Sequence, residues 1–190
     1  RSLAAAGGAM LAAVRVAGTP HVIDRVNFTM RTAAEPASLG VWENNVHQDT
    51  VLFAPPGGAS IAAAAADGSL LLYDSAAGAF TIWQWNYETL GGPYAASADG
   101  FFVVGRHLLN SSLVAAGEFD PLGSVVSGFA LDGAAGYMTV WPAGGGPGLI
   151  QRFDFSQGMA YPAVRMAEAP RVAGPQSVFT RTLAVLPGRN

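Results

Sequence analysis

Three Asp-Gly dipeptides pace the middle of this chain: Asp67-Gly68, Asp99-Gly100 and Asp132-Gly133 recur roughly 32 residues apart, a spacing in the range of repeat architectures. Each pair is a turn former by its chemistry, since an Asp carboxylate accepts nearby backbone N–H groups and Gly takes a positive φ without steric cost. Strand-like runs flank every one of them. In the first unit these are residues 60–66, 69–74 and 79–87; in the second, 94–100 leads into 101–106; in the third, 125–133 leads into 137–141. A chain punctuated in this way is restricted to short strands joined by tight turns. The spacing predicts that Gly68, Gly100 and Gly133 occupy one equivalent hairpin position in superposable units.

The rest of the chain agrees with strands. Its 24 Gly and 12 Pro interrupt every long apolar run, although 51% of the residues are hydrophobic. No stretch combines apolar residues at three-and-four spacing with helix caps, and none reaches the ~20 apolar residues of a membrane-spanning helix. In Phe80-Thr81-Ile82-Trp83-Gln84-Trp85-Asn86-Tyr87, simple alternation sends Phe80 and Ile82 to one face and Trp83, Trp85 and Tyr87 to the other. Two apolar faces imply a central strand covered on both sides, where Trp83→Ala would cost roughly 3–5 kcal/mol. Further strands are expected at 112–119, 148–155 and 178–186, with weaker ones at 10–16, 21–28 and 50–55. Residues 3–14, which follow Arg1, have a second reading as the apolar core of a secretory leader.

The succession from residue 60 is a small apolar strand (Ser60-Ile61-Ala62-Ala63-Ala64-Ala65-Ala66), an Asp-Gly turn, the strand Ser69-Leu70-Leu71-Leu72-Tyr73-Asp74, the turn Ser75-Ala76-Ala77-Gly78, and a third strand. This plan resembles the β-propeller repeats of bacterial surface and secreted proteins, the YVTN-like and NHL-like groups, over about residues 53–158. The resemblance implies an all-β propeller, or a propeller fragment, built from repeats of about 32 residues. A β-sandwich is the alternative that the same strands and turns allow. A four-stranded blade ordinarily uses about 40 residues or more, so a shorter unit has room for three full strands or four short ones. The expectation is one all-β repeat domain over residues 1–190, a fragment of a longer protein.

Composition removes several chemistries. All ten basic residues are Arg, which excludes a lysine Schiff base and the lysine of a phosphate-binding P-loop. A net charge of −3 with scattered arginines offers no nucleic-acid footprint. The absence of Cys excludes disulfides, thiolate nucleophiles and cysteine zinc sites. No cofactor is implied. The bias to Ala, Gly and Arg without Lys reads as a GC-rich, bacterial source.

Candidate sites are sparse. The segment Trp42-Glu43-Asn44-Asn45-Val46-His47-Gln48-Asp49 concentrates reactive groups, and on a strand His47 and Asp49 would share a face. Its plainer reading is an interstrand loop with Asn and Asp capping turns. The row Trp83, Trp85 and Tyr87 would suit stacking on sugar rings, or packing between sheets. His21, Asp24 and His107 read as structural residues, the three turn aspartates as turn formers, and residues 144–148 as a flexible Gly-rich turn. The resemblance, together with the absence of an assembled catalytic set, implies a non-enzymatic binding or spacer module of a bacterial secreted or cell-envelope protein, with a carbohydrate or protein ligand. One alternative is a propeller-type enzyme acting on polysaccharide, with Glu43, His47 and Asp49 in its site. The other is a self-assembly module, whose incomplete end repeats leave sheet edges that pair with a second copy or with a further segment of the parent protein.

Overall fold

The computed structural model describes residues 2–7, 9–13, 20–23, 30–32, 50–85, 90–119, 125–141, 148–155 and 164–169, which contain strands and turns and no helix. Four antiparallel sheets of four strands each account for the strands. The first runs β1 (Ser2–Ala6), β2 (Ala9–Ala13), β3 (Pro20–Ile23) and β4 (Met30–Thr32). The second is β5 (Val51–Phe53), β6 (Ser60–Ala64), β7 (Ser69–Asp74) and β8 (Ala79–Trp85). The third is β9 (Tyr94–Ala96), β10 (Phe102–Val104), β11 (His107–Leu109) and β12 (Ala115–Glu118). The fourth is β13 (Val125–Asp132), β14 (Ala135–Trp141), β15 (Gly148–Asp154) and β16 (Val164–Ala169).

Strands are hydrogen-bonded in sequence order within every sheet, so each sheet is a meander. Four separate meanders are the arrangement of propeller blades and differ from the two-sheet sandwich. The apolar run near the start forms the β1–β2 hairpin, in which Ala6 faces Ala9. The expected strand at 178–186 lies outside the described residues.

The repeat itself needs correction. The four sheets open at Ser2, Val51, Tyr94 and Val125, so they are not evenly spaced, and four strands fit because β9, β10 and β11 have only three residues each. Gly68 lies between the second and third strands of its sheet, whereas Gly100 and Gly133 lie between the first and second. Local geometry also differs. The Gly68 N–H donates to the Ala65 carbonyl (3.1 Å) while the Ala65 N–H donates to Ser69 (2.9 Å), and Ser97, Gly100 and Phe101 repeat this pattern at 3.1 and 2.8 Å. Their glycines have φ of 96° and 82°. Asp132 instead pairs with Ala135, leaving a two-residue turn of Gly133 and Ala134 with φ 56° at the glycine. Asp-Gly is selected by the needs of a hairpin, and any hairpin of a blade presents them.

The chain divides into two compact units: Arg1–Gly91 with Ser111–Val114, and Gly92–Asn110 with Ala115–Asn190. In the first unit Leu52, Ile61, Ala63, Leu71, Tyr73 and Phe80 form a buried cluster on one face of the second sheet, and Ala4 of β1 packs on it. Cross-strand register explains the grouping, since Leu52 pairs with Ala63, Ala63 with Leu71, and Ile61 with Tyr73. Paired residues share a face. Small side chains in β6 let the sheets approach closely. The β1–β2 turn also meets this sheet, where a Cβ on Gly7 would run into Ser75 Oγ and stand 3.2 Å from Ala59 Cα. Ser75 is fixed there because its N–H and hydroxyl both donate to the Ala59 carbonyl, at 2.9 and 2.6 Å.

The second unit is organised by aromatic rings. Phe119, Phe129, Phe153 and Phe155 are buried with Val103, Leu108, Leu131, Met138 and Val140, joining the third and fourth sheets. Phe153 lies 4.7 Å from Phe119 and 5.6 Å from Phe129, ring centre to ring centre, in edge-on contacts. Gly136 pairs with Phe153 across β14 and β15 and supplies the space for its ring. A Cβ there would lie 2.8 Å from Phe153 Cε2 and 2.9 Å from Leu131 Cδ2, besides striking Phe153 Cζ.

Phe153→Ala should destabilise the protein by about 3–5 kcal/mol through the cavity it leaves. Gly136→Ala should cost about 1–3 kcal/mol by overpacking the same spot. Urea unfolding followed by circular dichroism measures both. A Gly136→Ala variant as stable as the parent would show that the ring is not held against the glycine.

Candidate functional site

The described part of the predicted aromatic row lies on β8. Among the described strands this one stands at the edge of its sheet, next to β7, and is not the central strand that its composition suggests. Its alternation is also broken. Tyr73 pairs with Phe80 and Leu72 with Ile82, so Thr81 is an extra residue in a β-bulge. Past the bulge, Leu71 pairs with Trp83, which places Phe80 and Trp83 on the face of the buried cluster and Ile82 on the opposite one. The expected pairing of Phe80 with Ile82 on one face is therefore wrong. Phe80 is fully buried, Ile82 half-buried, and Trp83 is exposed at 38%. Trp83 and Val114 are the exposed large hydrophobic residues among those described. Trp85 closes β8, and Tyr87 lies outside the described residues.

Glu43, His47 and Asp49 also lie outside the described residues, as does Asp24. Turn chemistry accounts for Asp67: its carboxylate accepts from the Ser69 N–H and hydroxyl, both at 3.0 Å. Asp74 does the same in the next turn, where Oδ1 accepts from the N–H groups of Ala76 and Ala77 at 2.7 and 3.0 Å. These are the local bonds for which Asp is favoured in turns.

One polar group was missed from sequence. Register aligns Tyr94, Val104, His107 and Glu118 in a row across the third sheet. The two-residue turn Gly105-Arg106 brings Arg106 beside this row, with Nε 2.6 Å from Glu118 Oε1, and His107 Nδ1 lies 4.0 Å from the same oxygen. Arg106 and Glu118 are more than half exposed, so the pair contributes little to stability and its role is that of a cross-strand contact. Glu118 and Arg106 are far enough apart in sequence that only the strand pairing reveals the contact. Burial raises the Tyr94 phenol above its ordinary value of 10.0. No group of three or more His, Asp or Glu side chains suited to a metal ion occurs among the described residues. No helix among them is long and apolar enough to cross a membrane.

The four meanders define the class of the chain, a β-propeller fragment. Solved structures agree. The chain is similar to the computationally designed Ika8 protein (TM-score 0.55, 14% identity) over 85% of its own length and 48% of that chain. It is similar to the Dos1 propeller (TM-score 0.57, 12% identity) over 88% of this chain and 49% of that one. A chain of the mitotic checkpoint complex matches with a TM-score of 0.53 and 12% identity, over 82% and 48%. The chain thus spans about half the length of these structures. No protein-family model matches the sequence, and no curated protein matches it.

Trp83→Ala should cost only about 1–2 kcal/mol, against about 3–5 kcal/mol for Phe80→Ala three residues earlier, since one is exposed at an edge and the other enclosed. Equal losses in chemical denaturation would contradict the edge placement. The raised phenol of Tyr94 carries a second expectation. Its folded pKa exceeds the unfolded one, so its contribution is complete below about pH 10 and is lost as pH rises through the folded value. Melting temperatures across the alkaline range should fall less steeply in Tyr94→Phe than in the parent.

Proposed function

We propose that this chain is a non-enzymatic binding or scaffold module of a bacterial secreted or cell-envelope protein, whose propeller is completed by blades outside this sequence. The observation that carries the reading is the match to the Dos1 propeller and to a chain of the mitotic checkpoint complex over 82–88% of this chain but only 48–49% of theirs. Sheets apolar on both faces need covering on both sides, and further blades supply that cover. They come from the longer parent protein or from a second copy of this chain. A protein partner is favoured by the setting of one similar propeller chain, which comes from a multiprotein complex. The bacterial YVTN-like and NHL-like resemblance supports the location, as does the lysine-free composition.

Two further observations shape the reading. Carboxylates at Asp67 and Asp74 bind turn amides and Glu118 binds Arg106, which are structural uses. The exposure of Trp83 favours a second reading for the ligand, a carbohydrate stacked on the indole.

Light scattering on the isolated chain, of mass 19.5 kDa, should show a dimer or larger species burying at least the ~1,000 Å² of a specific interface. A monomer at high concentration would place the missing blades in the parent protein. Incubation with cell-wall polysaccharides should release no reducing ends. Release that disappears in Glu43→Gln would overturn the non-enzymatic reading. Glycan-array binding lost in Trp83→Ala would assign a carbohydrate ligand, while retention of protein partners alone would assign a scaffold.

A further inference from the structure

We draw no further inference here: the strongest candidate, the face of the fourth sheet turned away from the phenylalanine cluster and carrying Ala130, Tyr137 and Ile150, is partly buried, and nothing in the structure shows what covers it.

Discussion

Packing of Phe153 against its neighbours is the interaction on which the second unit depends. Its ring touches Phe119 at the end of the third sheet and Phe129 within the fourth, so one side chain fastens two meanders whose described strands pair in separate sheets. A sheet gains little from its ladder alone, because its N–H and C=O groups exchange water for one another at small net profit. Stability comes from the apolar face that the ladder presents, and from the closeness with which that face is met. Gly136 shows how narrow the fit is: the space of one methyl group is reserved for a ring. The first unit reaches the same end by other means. Small alanines in β6 and the glycine at the β1–β2 turn let the sheets draw near, with Tyr73 and Phe80 edge-on at 5.4 Å between ring centres.

Turns hold these faces in register. In the second sheet, Asp67 and Asp74 each tie down the residues that follow them, and Ser75 reaches back to Ala59 with two bonds. A hairpin whose loop is fixed internally cannot slip by one residue, and a slip would exchange the buried face for the open one. Among the described residues, Asp67, Asp74 and Ser75 are polar groups spent on specifying pairing.

Strand existence was legible because Gly and Pro end every apolar run and because alternation needs only neighbouring residues. The expected strands at 60–66, 69–74 and 79–87 appear as Ser60–Ala64, Ser69–Asp74 and Ala79–Trp85. The true period was hidden. Asp67-Gly68 and Asp99-Gly100 fold into the same loop, yet they serve different hairpins of their sheets, so a count of turns measured hairpins and not blades. Whether a strand is central or at an edge depends on partners distant in sequence, and aromatic content misplaced β8 for that reason. The Arg106 and Glu118 contact was invisible on the same ground: cross-strand neighbours are set by register, which composition does not encode. Of the candidate site, the described portion is Trp83 and Trp85, with Glu43, His47, Asp49 and Tyr87 beyond it.

The extra residue at Thr81 has a consequence for how this strand tolerates change. Side chains before and after it obey opposite phases, so the strand carries two frames separated by a single hinge of backbone. Removing Thr81 would leave Phe80, Ile82 and Trp83 in plain alternation against Tyr73, Leu72 and Leu71, so the outer half keeps its faces and only the bulge is lost. The edge strand can therefore lose one codon at the bulge and still present Trp83 on the same side, because the surplus residue is the one that no partner strand counts.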